Sequence, residues 1–209
     1  MILEQCKKCR RVVQKLFLKG ERCFTQKCAV TRRAYAPGAQ GGKKKRRRGE
    51  VSEYGRQLIE KQKLRITYGV LERPFKKYVL EAMQAKGDNR EKLMERLETR
   101  LDNVVFRLGF AKSRFGAKQI AGHGHILING RKLDVPSYQV KVGDVITIKE
   151  KSKKSALFNE LPITLKKYET PAWLSLDKEK LEGKMNTRPT VSDFGDLASV
   201  GMVVEYYSR

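Results

Sequence analysis

The sequence has 209 residues, 40% of them hydrophobic, which is enough for one large domain or two modest ones with buried cores. Its 46 Lys and Arg residues outnumber its 23 Asp and Glu residues, and the formal net charge of +23 favours a polyanionic partner. No apolar run approaches the ~18 to 20 residues that span a bilayer, and no apolar signal-peptide core begins the chain, so we expect a cytoplasmic protein without a membrane partner.

The cysteines form two close pairs near the start of the chain. Cys6 and Cys9 are separated by thirteen residues from Cys23 and Cys28. This spacing is typical of four thiolates around one tetrahedral zinc ion, whereas two disulfides, the alternative, need an oxidising compartment that nothing in the sequence indicates. Because both histidines lie far downstream, we predict a structural site for one Zn²⁺ with four cysteine ligands, not a catalytic metal. Basic neighbours would lower the thiol pKa values: Lys7, Lys8, Arg10, Arg11 and Lys27.

A run of six cations follows the cysteines in the stretch APGAQGGKKKRRRGE, residues 36–50. Its proline and glycines predict an irregular arm. A solvated, disordered charge run is one interpretation. The run continues a segment, residues 1–48, that carries a net charge of +14 and leaves +9 for the other 161 residues, so contact with nucleic acid is favoured. The arm residues are Lys43, Lys44, Lys45, Arg46, Arg47 and Arg48.

Residues 53–107 have a helical composition, punctuated by Gly69, Gly87 and Gly109, and they predict three or four packed helices. Pro74 suits the first turn of one helix, and Asp88 suits the N-cap of the next. From there an apolar stripe recurs at helical spacing through Leu93, Leu97, Leu101, Val104 and Leu108. On a neighbouring face the same spacing would place Arg96, Arg100 and Arg107 together.

The elements shorten after Gly109. A short helix is predicted between an N-cap at Ser113 and a stop at Gly122. Asn129-Gly130 between two strand-like runs predicts a β-hairpin, and the strand VITIKEK closes the unit. Two helices leading into a small antiparallel sheet would form one module over residues 94–151.

The charges of this module suggest a face for RNA, because cations with amide and imidazole donors suit phosphates and 2′-hydroxyls. Each of these residues, taken alone, is best interpreted as a solvated surface charge. Clustered around one edge, they favour RNA binding. Three aromatic residues, Phe106, Phe110 and Phe115, are predicted to belong to the core rather than to stack on bases. The predicted RNA-binding residues of the module are Arg96, Arg100, Arg107, Lys112, Arg114, Lys118, His123, His125, Asn129, Arg131 and Lys132.

Residues 97–150 closely resemble the small RNA-binding module called the S-four domain: LETRLDNVVFRLGFAKSRFGAKQIAGHGHILINGRKLDVPSYQVKVGDVITIKE. Other stretches extend the resemblance over essentially the whole chain, to the family of bacterial small-subunit ribosomal proteins number four: LFLKGERC, APGAQGG, YGRQLIEKQKLRITYGVLERPFKKY, PAWLSLD and VVEYYSR. The four-cysteine start resembles the zinc-bearing subset of that family.

The resemblance implies a structural constituent of the small ribosomal subunit that binds ribosomal RNA early and nucleates assembly of the 5′ domain and body. It also implies contact with the neighbouring small-subunit protein number five, an interface linked to translational accuracy. The basic arm would then act on messenger RNA at the channel through which the messenger enters.

The sequence contains no reaction centre of the kind that an enzyme needs, since there is no phosphate-binding loop, open metal site or histidine–nucleophile pair. We therefore expect a non-enzyme without a small-molecule substrate. An S-four-domain RNA-modifying enzyme is the alternative, and a zinc-finger DNA regulator is a third reading. The predicted fold is α+β: a zinc knuckle and basic arm (1–50), a helical domain (51–93), the inserted S-four RNA-binding module (94–151), and a C-terminal segment returning to the helical domain (152–209).

Overall fold

Residues 2–38, 51–190, 193 and 199–208 are described by the computed structural model, and they combine helices with an antiparallel sheet. This mixture confirms the predicted α+β class. The chain divides into two compact units, Met1–Leu93 with Asp196–Arg209, and Met94–Gly195. Every helix within the described ranges is too short or too polar to cross a membrane. The predicted basic arm, residues 43–48, lies outside the described residues.

The first unit is helical. Pro74 lies in the first turn of its fourth helix, as predicted, where a missing backbone N–H costs no helical hydrogen bond. The third helix begins at an N-cap, because the Ser52 hydroxyl accepts a hydrogen bond of 3.2 Å from the backbone N–H of Gly55. The last helix of the chain packs against the third and fourth. The bounds are α1 (Ile2–Val12), a 3₁₀ turn (Gly20–Cys23), α2 (Ala29–Arg32), α3 (Glu53–Thr67), α4 (Glu72–Gln84), the start of α5 (Asn89–Glu98), and α10 (Val200–Ser208).

The second unit packs helices on a five-stranded sheet of order β2-β1-β3-β5-β4, with every neighbouring pair antiparallel. Its core joins buried residues of α6 and α7 to the inner face of the sheet and includes the fully buried Trp173. The bounds are α6 (Leu101–Arg107), α7 (Arg114–Gly122), β1 (Ile126–Ile128), β2 (Arg131–Lys132), β3 (Val145–Ile148), α8 (Glu150–Lys153), α9 (Leu161–Lys166), β4 (Leu174–Asp177) and β5 (Glu182–Met185).

Local predictions for this unit are confirmed. The Ser113 hydroxyl caps α7 by accepting from the Gly116 N–H at 3.1 Å. Asn129 and Gly130 form the two-residue turn between β1 and β2, with φ of 49° and 78°. Positive φ at both positions defines the turn type that matches the twist of a hairpin.

The helix predicted across residues 88–107 is interrupted, with α5 ending and α6 beginning on either side of Arg100, whose backbone is extended. The interruption arises because backbone groups here bond to a distant loop. The Leu101 N–H donates to the Tyr138 carbonyl at 2.8 Å, and the Thr99 carbonyl accepts from the Val140 N–H at 2.8 Å. The expectation of one continuous arginine face through Arg100 is therefore wrong, since the arginines before and after the break do not share a helix.

The second unit runs beyond the module predicted to end at residue 151. Strand β5 pairs with β3, with Ile146 opposite Gly183, and β4 then extends the sheet. The segment predicted to return to the helical domain is divided by this pairing. Its first part, to Gly195, belongs to the second unit, whereas Asp196–Arg209 belongs to the first.

Candidate nucleic-acid interface

Glu98 is the centre of a charge cluster that holds several predicted RNA-binding residues. Its fully buried carboxylate accepts from Arg107, with Nε to Oε2 at 2.9 Å and Nη2 to Oε1 at 2.8 Å, and from Asn103 Nδ2 at 2.7 Å. Arg114 Nε donates to Asn103 Oδ1 at 2.8 Å, and its guanidinium carbon lies 4.6 Å from the centroid of the Phe106 ring. A buried carboxylate requires such compensation, so these two arginines have an internal role in joining α5, α6 and α7.

Arg100 lies in the interior and not on the predicted face. Its residue is 3% exposed, and it forms a two-pronged ion pair with Asp102, with Nε to Oδ1 at 3.0 Å and Nη2 to Oδ2 at 2.6 Å. The reason is the interrupted helix described above, which turns this position away from solvent. Arg100 thus stabilises the fold around the break.

The remaining cations of the set are more accessible. Arg96 is exposed and Lys118 is half-buried. Lys112 is exposed and pairs with Glu160, with Nζ to Oε2 at 2.8 Å. At the outer strand β2, Arg131 and Lys132 are both exposed. Lys132 Nζ lies 3.5 Å from Oδ2 of the exposed Asp134, and both cations at this edge of the sheet remain accessible to a polyanion.

The polar residues near the hairpin have structural partners. The Asn129 amide donates to Asp144 Oδ1 at 2.9 Å and its carbonyl oxygen accepts from the Val145 N–H at 2.9 Å. Both ends of this side chain therefore stabilise the turn, even though the residue is exposed.

The two histidines differ in their surroundings. His123 is exposed at the end of α7. His125 is half-buried, with Nδ1 2.9 Å from the Ser152 hydroxyl and its ring edge-on to Phe158. Burial lowers the pKa of His125, and the charges of His123 and Lys149 lower it further. His125 is therefore a neutral side chain near neutral pH, and His123 is the one open to solvent.

The aromatic prediction holds for two of its three residues. Phe110 is 2% exposed and Phe106 packs on the core, but Phe115 is 49% exposed on α7. Its assignment to the core is wrong because position 115 falls on the outer face of that helix, opposite the buried Ala117 and Ile120.

The sequence pattern did not single out Glu98 as a site residue. The sequence feature that could have identified Glu98 is its position next to Leu97, a member of the apolar stripe. A carboxylate so close to the core needs a partner.

All four cysteines line one small cavity of the first unit and are free thiols. Cys9, Cys23 and Cys28 are buried and Cys6 is half-buried. Burial raises the pKa of Cys9 and outweighs a hydrogen bond with the Leu16 backbone that lowers it; negative charge on the other three cysteines, which lie close by, raises it further. Among the described residues, however, no group of three or more His, Cys, Asp or Glu is already positioned to hold a metal ion. The donor chemistry suits zinc, and the side chains would have to converge to bind it.

The pKa of Cys28 is lowered. Burial alone would raise it, but hydrogen bonds with the backbone of Thr31 and Val30 and with the Thr31 side chain, together with the charge of Lys15, outweigh burial. A thiol with a lowered pKa is more readily deprotonated, and the thiolate is the form that binds a metal cation.

A cation-bearing pair of helices on an antiparallel sheet lies in the same chain as a basic, cysteine-containing helical unit, and this combination is suited to an RNA-binding protein. Residues 99–146 match the S4 domain, and residues 2–98 match the family described as the Ribosomal protein S4/S9 N-terminal domain.

Full-length relatives identify the family more closely. The chain is 51% identical over 205 residues to small ribosomal subunit protein uS4 of Heliobacterium modesticaldum, and 48% identical over 204 residues to that of Halothermothrix orenii. It is 49% identical over 207 residues to uS4A of Clostridium botulinum, and each alignment covers 98% of this chain and 96% of the relative. The chain belongs to the uS4 family of ribosomal proteins. This membership confirms the predicted family and the prediction of a non-enzyme.

Proposed function

We propose that the protein is a structural constituent of the small ribosomal subunit, located there in the cytoplasm, and that it binds the RNA of that subunit. The observation that carries this proposal is identity of 48% to 51%, over 98% of the chain, with proteins named small ribosomal subunit protein uS4. The net charge of +23 supports an RNA partner. Family membership removes the RNA-modifying enzyme as the alternative.

The finer proposal is an early binder that nucleates assembly of the 5′ domain and body by holding several RNA helices at one junction. Its support is the distribution of cations over separate parts of the chain, from the cysteine-rich start to the β2 edge. Contacts that are weak singly reinforce one another when they belong to one chain, because each raises the effective concentration of the next.

Chemical footprinting of purified small-subunit RNA, with and without the protein and at several salt concentrations, tests both statements. We expect protection confined to one multi-helix junction of the 5′ domain that survives moderate salt. Protection that is diffuse and disappears as salt is raised would contradict specific binding and leave only general electrostatic attraction.

We propose a structural zinc ion bound by Cys6, Cys9, Cys23 and Cys28. The four free thiols around one cavity support this set of ligands. When bound, the metal would supply a cross-link between α1, the 3₁₀ turn and the start of α2, three short elements with a small shared core.

Metal analysis of the purified protein tests the zinc site. We expect one zinc per chain, which Cys9→Ser lowers, together with weaker RNA binding and faster proteolysis of residues 1–35. Gln26→Ala, at an exposed position between Cys23 and Cys28, is the matched control and should keep the metal. Protein purified without chelators that has reduced thiols and no zinc would contradict the site.

We also propose that the cations at 43–48 contact messenger RNA where it enters the subunit. Six consecutive charges in the sequence support this role. Ribosomes carrying alanine at all six positions should slow on templates with stable hairpins while keeping their rate on unstructured templates. Equal rates on both templates would contradict the role.

Contact with the neighbouring small-subunit protein number five, and through it an effect on accuracy, completes the proposal. It is supported by membership of the uS4 family, to which the terminal sequence VVEYYSR also points; residues 203–208 of that stretch lie in α10. Assembled subunits should yield cross-links between α10 or its neighbours and that protein, and substitutions there should change the misreading rate. Subunits without such cross-links and with unchanged misreading would contradict it.

A further inference from the structure

Two phenylalanines of the first unit form a stacked pair on the surface. Phe24 is 75% exposed and Phe17 is 40% exposed. Their ring centroids lie 4.9 Å apart with an angle of 29° between the planes, so the rings are nearly parallel. Two large aromatic side chains that contact each other and solvent, instead of the core, form an apolar surface patch that is available to a partner.

The fold holds both rings outward. Each phenylalanine follows a buried residue, Leu16 at 2% exposure and Cys23 at 9%. The backbone of Phe17 lies in the left-handed region, with φ of 50°, which bulky residues rarely adopt and which tends to persist at functional positions. The rings are therefore presented by anchored neighbours and not by a freely moving loop.

The charged residues near this aromatic pair indicate what kind of partner it binds. Every charged residue between positions 15 and 27 except Glu21 is a cation, namely Lys15, Lys19, Arg22 and Lys27. An apolar aromatic platform within a basic segment matches a partner that has both a flat apolar face and a negative backbone. A nucleic-acid strand with an unpaired base has both, whereas an apolar protein surface would leave these cations without partners.

We infer that the Phe17–Phe24 pair is a stacking platform for an unpaired base of the bound RNA, with the neighbouring cations on the flanking phosphates. This inference rests on the proposed function as an RNA-binding ribosomal protein and names a site for it outside the S4 domain. Phe24, the more exposed ring, offers its outer face to the base, and Phe17 supports it from behind. Stacking tolerates any base, so the platform would recognise an unstacked nucleotide and not a sequence.

Affinity for purified small-subunit RNA and chemical probing of its unpaired nucleotides test the platform with three substitutions at one position. Phe24→Ala and Phe24→Leu should each weaken binding roughly tenfold and expose one unpaired nucleotide to the probe, because leucine keeps the apolar character but loses the flat ring. Phe24→Tyr should bind within about twofold of the parent protein. Leu71→Ala is the matched control, since Leu71 is 74% exposed in the same unit, and it should bind as the parent does.

The possible failures are distinguishable. If the parent protein binds the RNA and Phe24→Leu gives the same affinity and the same protections, the stacking platform is overturned and the proposed function stands. That result would instead favour a protein neighbour for the patch. If the parent protein itself shows no specific binding, the proposed function fails and this inference fails with it. Circular dichroism melting of each variant verifies that the exposed substitutions leave the fold intact.

Discussion

The Tyr207 hydroxyl donates a hydrogen bond of 2.6 Å to Oε1 of Glu72, which ties α10 to the first turn of α4. The same oxygen accepts from Lys61 Nζ at 2.6 Å, and that ammonium also lies 4.9 Å from the centroid of the Tyr206 ring. Lys61 is only 4% exposed. Burial, followed by the hydrogen bond to Glu72, raises the pKa of Tyr207 far above its ordinary value. A polar cluster, in which Lys61 is buried and the Glu72 side chain is 43% exposed, thus joins the last helix to α3 and α4.

Removing the Tyr207 hydroxyl should weaken the first unit. Tyr207→Phe keeps the ring and loses one hydrogen bond to a charged acceptor, so we expect the free energy of unfolding to fall by about 1.5 to 3 kcal/mol. Urea denaturation followed by circular dichroism measures the change. Tyr54→Phe is the control, because the Tyr54 hydroxyl makes an exposed contact of 3.3 Å with Tyr206, and it should cost less than about 0.5 kcal/mol. Equal losses would contradict a special role for Tyr207.

Lowering the pH should destabilise the same cluster, because Glu72 becomes protonated. Burial alone would raise the pKa of this carboxyl, but hydrogen bonds from Lys61 and Tyr207 and the charges of Lys61 and Arg65 outweigh burial and lower the pKa below its ordinary 4.5. A lowered folded-state pKa contributes stability that is present above the unfolded value and lost as the pH falls through the folded value.

We therefore expect stability to decrease as the pH falls below about 4.5, and Glu72→Gln to flatten that decrease. Urea midpoints measured between about pH 3 and pH 7 give the slope. The parent protein, measured under the same conditions, gives the reference slope. An unchanged slope in Glu72→Gln would show that other carboxyls govern acid unfolding.

The main effect of Arg100→Ala should be a loss of fold stability and not a direct loss of RNA contact. The substitution leaves the Asp102 carboxylate, in a residue 4% exposed, without its two-pronged partner. Loss of one partner from a buried ion pair costs about 3 to 5 kcal/mol. Thermal melting of the second unit measures the effect, with the exposed Arg131→Ala as a control that should melt like the parent. A stable Arg100→Ala variant with weakened RNA affinity would instead support direct RNA contact by Arg100.

The edge strand β2 should carry electrostatic contacts with RNA. Alanine at Arg131 and Lys132 should cost about 1 kcal/mol each, roughly fivefold in affinity, and reduce the salt dependence of binding by about one unit per cation. The matched control replaces Lys178 and Lys180, two exposed cations at the β4–β5 turn on the opposite edge of the same sheet. Equal losses from the two pairs would mean that binding follows total charge and not position.

Much of the local structure could be predicted from the sequence, because the interactions that determine it lie within a few residues. The Asn129-Gly130 turn needs only two positions that tolerate positive φ, and its pairing of Ile128 with Arg131 follows from the loop length. The cap at Ser113 likewise needs one hydroxyl three residues before its partner amide. The family resemblance rested on such motifs spread along the chain, and the relatives confirm it.

The candidate site was less predictable, because helical spacing alone does not reveal which way a charge faces. Arg131 and Lys132 are exposed as expected, whereas Arg107 and Arg114 serve the buried Glu98 and Arg100 is enclosed with Asp102. Each of these arginines reads as a surface cation in the sequence, since the sequence does not show which carboxylate is buried beside it.

The sequence by itself determined the basic charge, the clustered cysteines, the caps and the hairpin. Only the tertiary structure decided that the helix breaks at Arg100, where the Thr99 and Leu101 backbones bond to Val140 and Tyr138. It also decided that β5 joins β3 to enlarge the sheet. The physical reason is the same in both cases: these hydrogen bonds join backbone groups more than thirty residues apart, which the packed core brings together and which no local pattern of residues specifies.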